Sequence, residues 1–486
     1  MMKKLRYLLW LVFILLSSVP IQSCSDDDKT PSATKLEVLK NNTPIESLDF
    51  QIPASSMMIG INCDADWTAT VSDSSWVNIS NHAGYGYDNK LSYIKVSVTR
   101  NTTEARQAQL TITSGSLQKV ITISQGGEGL DPNDPFESSF SFVNNMKVGY
   151  NLGNTLDANP DIYTVPANFN AKSTSDWETS WGQPVTTQAI IDAIAAKGFN
   201  IIRIPVTWYP HMDSEGNIDA QWMARVKEVV DYVIKAGCYC IVNVHHDNGA
   251  KSAGRRDSSA WLVADATQYD AVKARYKKLW TQIATEFRNY NDKLLFESFN
   301  EILDKNYTWG DASEAGAYAV VNKLNQDFVD AVRATGGNNE YRNLVCNTYS
   351  AGHTKAKLDN WLVPQDVHPN HIVASYHTYD PYSFCNDNGQ YNINIFDASC
   401  EAEIDAMIKL TSDRFSELGI PFFVGEFGAI DNKKSMAERI KYAKYMMTKL
   451  RSHGTSGLWW MGLYDRKTKT WYENEIADAL MSVVNQ

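Results

Sequence analysis

Between Lys147 and Gly462 one pattern recurs eight times: a short apolar run, a polar residue at its end, then a stretch with helical spacing. The runs are KVGYNL at Lys147, NIIRIPV at Asn200, CYCIVNV at Cys238, KLLFESF at Lys293, NLVCNTY at Asn343, HIVASYH at His371, PFFVGEF at Pro421 and SGLWWMG at Ser456. Unbroken apolar character marks strands covered on both faces, as in parallel sheets. The segments between them have a different period. In 222–235, Val226, Val229, Val230 and Val233 fall at i, i+3, i+4 and i+7, which gives a helix one apolar face to lay on a sheet. Similar patterns cover 189–197, 269–287, 315–334, a short stretch near Lys355, 401–417 and 436–450, and a last one starts at Glu473. Eight strand and helix units in alternation predict an α/β fold, a (β/α)8 barrel over 137–486, with a doubly wound sheet as the alternative.

Barrel chemistry is done where the strands end, because the loops that follow them surround the mouth. The polar residues at those positions are Asn151 and Asn154 after the first strand, Arg203 on the second, and His245 and His246 after the third. Asn300 and Glu301 follow the fourth, His377 and Tyr379 the sixth, Glu426 the seventh, and Trp459 and Trp460 close the eighth. A buried carboxylate is costly unless paired. Two of them converging with an arginine, histidines and amides therefore point to a site rather than to packing. Glu301 and Glu426, about 125 residues apart at the ends of two buried strands, predict a pair of carboxylates meeting across the mouth.

The chain ahead of the barrel has a different texture. Residues 35–126 hold short alternating segments rich in β-branched residues, including WTATVS at Trp67, LSYIKVSV at Leu91 and KVITISQGG at Lys119, which predict a small all-β sandwich. Gly127, Gly129, Pro132 and Pro135 mark a linker over 127–136. At the front, Lys3, Lys4 and Arg6 precede an apolar run from Tyr7 to Leu16 that is too short to span a bilayer, as expected of a signal peptide over 1–23. A tether over 24–34 follows.

With 56 acidic against 45 basic residues and a net charge of -11, the chain lacks the cationic surface that nucleic acid calls for. Flat aromatic faces can stack on sugars, and Trp181, Trp261, Trp309 and Trp471 fall in loops assigned to the mouth, either as platforms or as anchors. Among seven cysteines, Cys238 and Cys240 share a strand face but diverge too far to bond, and Cys63 and Cys346 have no evident partner. Cys385 and Cys400 flank one loop, which leaves a disulfide open.

Eight motifs in register, NLGNTLDA at Asn151, ETSWGQP at Glu178, RIPVTW at Arg203, NVHHD at Asn243, FESFNE at Phe296, YHTYDPY at Tyr376, VGEFGA at Val424 and WWMG at Trp459, together resemble glycoside hydrolase family 5. The first two resemble its subfamily of endo-β-1,4-glucanases and xyloglucanases. The resemblance implies a retaining endo-hydrolase of a β-glucan, cellulosic, mixed-linkage or xyloglucan, needing neither cofactor nor metal. It makes Glu301 the acid/base and Glu426 the nucleophile. Arg203 would hydrogen-bond the nucleophile, Asn300 would hold the sugar 2-hydroxyl, and Asn154 would support the site. His245 and His246 would stand in the glycone-side wall, on opposite faces of their strand and so not on one metal. His377 would adjoin the acid/base, Tyr379 the nucleophile, and Trp460, or else Trp459, would be the floor under the sugar. Met461 and Gly462 depart from the Asp-Asn often found there. Rival readings are a mannan-specific or xyloglucan-specific hydrolase and a non-catalytic glycan-binding surface protein.

Asp66-Trp67, Ser75-Trp76-Val77, Arg106 and Ile123 to Gly126 resemble the BACON domain of Bacteroidetes glycan-handling lipoproteins. That implies an immunoglobulin-like sandwich acting as a spacer, with Trp67 and Trp76 in its core. Ile21-Gln22-Ser23-Cys24 followed by SDDDKT resembles a lipoprotein export signal, with Cys24 lipidated. The expected partners are a β-glucan and, through the lipid, the outer membrane at the cell surface, with the protein a monomer.

Overall fold

The computed structural model describes residues 33–50, 55–87, 90–99, 101, 105–126, 136–159, 172–248, 261–386, 393–431 and 434–485. The signal peptide, Cys24 and most of the tether and linker lie outside the described residues.

Strands between Leu36 and Gln125 form two five-stranded sheets. Alternation decides which side chains face inward: along Ser92–Val98, Ile94, Val96 and Val98 are buried, and along Arg106–Ser114 so are Ala108, Leu110 and Ile112. Both sets enter one core with Ile59, Ile61, Ile121 and Ile123, so this is a sandwich. Its pairings are antiparallel except where Ser47–Phe50 runs parallel to Leu117–Gln125. Trp67 and Trp76 are both buried. The Arg106 guanidinium lies 4.4 Å from the Trp76 ring centre and donates to Gln125 Oε1 at 3.0 and 2.9 Å.

The remaining chain closes an eight-stranded parallel barrel: β1 (Gly149–Asn151), β2 (Ile201–Ile204), β3 (Tyr239–Asn243), β4 (Leu294–Glu297), β5 (Leu344–Asn347), β6 (Ile372–His377), β7 (Phe422–Phe427) and β8 (Gly457–Trp460), with β8 pairing back onto β1. Each predicted run holds one strand. Helices fill the intervals, and in Ala220–Lys235 it is Trp222, Val226, Val229, Val230 and Val233 that are buried. Asp219 caps that helix by accepting from the backbone N–H groups of Gln221 and Trp222, each at 2.9 Å.

The barrel interior has two layers of opposite character. Ile201, Ile241, Leu295, Val345, Val373, Phe423 and Leu458 form a lower apolar layer, plugged from below by Phe142, Val143 and Met146, the last just past the helix Ser139–Asn145. Burying each large aliphatic side chain contributes about 1.5–3 kcal/mol, so the lower layer supports the barrel. With a side-chain period of two, the next inward position on each strand is Asn151, Arg203, Asn243, Glu297, Asn347, Ser375, Gly425 and Trp460. This upper layer is polar and faces the mouth.

Strand β7 breaks the alternation. Tyr376 pairs with Val424, but His377 pairs with Glu426, so β7 carries an extra residue. A bulge of this kind redirects a side chain, and here it turns Glu426 toward the mouth. Gly425 permits it: a Cβ there would lie 2.7 Å from Ser375 Oγ and 3.0 Å from His377 Nε2.

The pairing of Cys385 and Cys400, open in the sequence, is decided by the structure. They are separate buried thiols, whose Sγ atoms point to the carbonyls of Asp380 and Ile395, so no disulfide joins them. Cys238 and Cys240 are likewise buried and free.

Candidate active site

Arg203 organises the upper layer. Its guanidinium is fully buried, and its donors are committed: Nε to Glu297 Oε2 at 2.6 Å, Nη2 to Glu297 Oε1 at 3.1 Å and to Asn300 Oδ1 at 2.9 Å, and Nη1 to Glu426 Oε1 at 2.7 Å and Asn151 Oδ1 at 3.0 Å. Burial alone would lower its pKa, but Glu297 and Glu426 outweigh that and keep it cationic. Glu297 also accepts from Asn347 Nδ2 at 2.6 Å.

Glu301 and Glu426 meet over this base. One oxygen of each, with a nitrogen of His377, lies within 4.8 Å of the others. His377 Nδ1 stands 2.8 Å from Glu301 Oε1 and 3.6 Å from Glu426 Oε1. Burial pushes the imidazole down, yet Glu426 and the hydrogen bond to Glu301 hold it above its ordinary value. The Tyr379 hydroxyl donates to Glu426 Oε2 at 3.1 Å. Burial and the charge of Glu426 keep that phenol protonated. The Glu426 carboxyl is pushed up by burial and pulled back by His377 and Arg203, and the balance stays above its ordinary range. Its surroundings differ from those of Glu301, which is partly open to the mouth at 21% side-chain exposure against 6% for Glu426.

The structure separates the paired tryptophans. Trp459 points outward and is buried edge-on against Phe427 and Tyr442. Trp460 points inward, two residues after Leu458, with its ring parallel to that of His245 at 5.9 Å. Gly153 lies against its edge, where a Cβ would come within 2.8 Å of the indole. Asn154 follows with φ 60° and lines the space beside Trp460.

The histidine pair differs from expectation. Strand β3 ends at Asn243, and His246 opens a 3-10 turn, so strand alternation does not apply. The two rings touch edge to face with centres 4.5 Å apart, and with Asp157 they place three donor atoms within 4.8 Å of one another. Burial pushes His245 well down, so it is a neutral imidazole, oriented by Asn243 at 3.1 Å. Burial raises the Asp157 carboxyl to about 6 against backbone N–H groups of Thr155 and Asn154.

Among the loop tryptophans, Trp181 meets His246 edge-on at 5.3 Å, and Trp261 is tied down by Asp247, accepting from its Nε1 at 2.8 Å. Trp309, in the loop after β4, is 56% exposed. Trp471 stacks on Phe199, which packs on Tyr150 of the outer barrel wall, so it belongs to that packing rather than to the mouth. Two residues of the site escaped the sequence reading. Glu297 sits inside an apolar run, where its place two residues after Leu295 gives its direction, and Asp157 lies within NLGNTLDA, where no signal of spacing marks it.

A model of cellulase (glycosyl hydrolase family 5) matches residues 161–465, and a model of BACON, a putative N-terminal binding domain, matches residues 65–126. Endoglucanase A of Clostridium longisporum is 36% identical over 363 residues, covering 71% of this chain and 65% of the relative, so the chain spans just under two thirds of that protein's length. A xyloglucan-specific endo-beta-1,4-glucanase of Bacteroides ovatus is 29% identical over 500 residues, 95% of this chain and 92% of that one. The crystal structure of a glycoside hydrolase family 5 enzyme from Prevotella bryantii B14, a mutant holding the xyloglucan tetradecasaccharide XXXGXXXG, superposes with a TM-score of 0.65 at 39% identity over 72% of this chain and 99% of that one.

Proposed function

The chain belongs to glycosyl hydrolase family 5, and from that premise we propose that it cuts internal β-1,4 bonds of a glucan with retention, Glu426 attacking and Glu301 serving as acid and then base. The observation that carries the assignment is the meeting of these two carboxylates within 4.8 Å in unlike surroundings. With the sugar ring on Trp460, a Glu426 oxygen forms a bond to the anomeric carbon while the bond to the glycosidic oxygen breaks. That oxygen takes the proton of Glu301 and leaves with the rest of the chain. Esterified, Glu426 is neutral. Glu301, now a carboxylate, takes a proton from water as the water oxygen bonds to the same carbon and Glu426 departs. Arg203 and Tyr379 hold the attacking carboxylate in place, and Asn300 is set to bind the 2-hydroxyl. His377 positions Glu301.

Replacing Glu426 by Ala is expected to abolish turnover while leaving binding of cello-oligosaccharides largely intact. Unchanged hydrolysis would remove the assignment, and the α anomer as first product would contradict the mechanism. Among substrates, the xyloglucan-specific Bacteroides relative and the xyloglucan oligosaccharide bound to the Prevotella mutant support xyloglucan, and initial rates on cellulose derivative, mixed-linkage glucan, xyloglucan and mannan rank the choices. We propose further that Cys24 carries lipid and tethers the enzyme to the outer membrane, with the sandwich as spacer. The Ile-Gln-Ser-Cys sequence and the near full-length match to the Bacteroides protein support this. Loss of palmitate labelling in Cys24→Ala tests it.

A further inference from the structure

The floor tryptophan has a side chamber next to it. A cavity of about 360 Å³ opens between the loops after β7 and β8, with Tyr379 and Trp460 at its inner edge and Ile430, Met461 and Tyr472 around its rim. That volume lies within the range of roughly 300–1,000 Å³ typical of small-molecule sites. Its wall is fixed from behind, because the buried Arg439 holds Glu473 through two hydrogen bonds of 2.5 and 2.8 Å and the Ala429 carbonyl at 3.0 Å. Met461 and Gly462, with φ of 22° and 80°, turn the chain sharply after Trp460, and the Met461 sulfur packs toward Gly153 in the loop after β1.

The chemistry of Glu426 gives the chamber a direction. Oε1 of Glu426 faces Arg203, which also holds Asn300, while Oε2 faces Tyr379. C2 and the ring oxygen are the two opposite neighbours of the anomeric carbon within a pyranose ring. A glucose whose 2-hydroxyl lies on the Asn300 side therefore sends its ring oxygen, C5 and the C6 arm toward Tyr379, where the chamber opens. We propose, on the strength of the hydrolase reading above, that this chamber receives a sugar substituent on the 6-oxygen of the glucose whose bond is cut. The enzyme then cleaves a branched β-1,4-glucan after substituted as well as plain glucose. Tyr472 and Ile430 offer the branch a ring face and an apolar contact, and Asp431 offers an acceptor for its hydroxyls.

The test digests a 6-O-xylosylated β-1,4-glucan and, separately, unbranched cellohexaose with the full chain. The new ends are reduced with borodeuteride and read by tandem mass spectrometry. Terminal glucitol bearing the branch is the expected result. Ile430→Trp, at a rim position 42% exposed, is expected to cut the ratio of branched to unbranched ends by about tenfold or more. If both substrates are cut but every new end is unbranched, or if Ile430→Trp leaves the ratio unmoved, the inference is overturned. Failure to cut either substrate would overturn the hydrolase reading itself, and this inference with it.

Discussion

Replacing Arg203 by Met tests the claim that one buried cation holds the mouth together. The guanidinium has five N–H groups, and the structure gives it five acceptor contacts on Glu297, Glu426, Asn300 and Asn151. Methionine fills much of the volume but leaves Glu297 with only the Asn347 amide and Glu426 with only His377 and the Tyr379 hydroxyl. Removing one partner of a buried ion pair costs about 3–5 kcal/mol, most of it the penalty of the charge left behind. Adding Glu297→Gln in the same chain removes one of those orphans. The double variant is therefore expected to be more stable than the sum of the single losses predicts, by about 1–3 kcal/mol, the coupling typical of residues in one network. Urea unfolding read at the barrel's tryptophan transition measures all four corners of the cycle. Turnover is expected to fall in every variant lacking Arg203, since Glu426 loses its 2.7 Å donor. Losses that add to within about 0.5 kcal/mol would refute the reasoning, because independent sites add that closely.

Three further outcomes follow from particular contacts. In the proposed mechanism Glu426 attacks as a carboxylate, and burial holds its carboxyl above the ordinary 4.5, so activity is expected to be present above that raised pKa and lost as pH falls through it. Tyr379→Phe removes a donor to the ionised form and should move the acid limb of kcat/KM to higher pH, whereas a limb that stays put would contradict this. His211, buried and stacked on Trp222 at 3.5 Å, is pushed by burial from 6.5 to about 3, so the unfolded chain binds a proton that the folded one refuses. Stability from this group is complete above 6.5 and declines by up to about 1.4 kcal/mol per pH unit as pH falls toward 3, and His211→Phe should flatten that slope in denaturant titrations. Trp309→Ala is expected to raise KM for long cello-oligosaccharides by roughly 2- to 12-fold, the worth of a lost aromatic face, with little change for the shortest substrates.

How much of this could be read from the sequence depends on where the period of two holds. All eight strands lie within the apolar runs because burial on both faces leaves an unmistakable pattern, and the helices between them carry the complementary one. The same period, applied inside the runs, separates Trp460 from Trp459 once Leu458 is known to face inward, and it directs Glu297 to the mouth after Leu295. Glu297, the group that shares Arg203 with Glu426, stays hidden because Asn300 and Glu301, three and four residues on, already mark the polar end of that run. Where the period fails, alternation by itself gives the wrong direction. Strict alternation after Phe423 and Gly425 would send Glu426 out toward the helices, and only the extra residue opposite His377 brings it in. The early end of β3 likewise brings the rings of His245 and His246 together, although alternation would part them. Both departures occur at the mouth, where each irregularity aims one side chain at the cleft. The regular lower layer, with no substrate to meet, follows the pattern throughout.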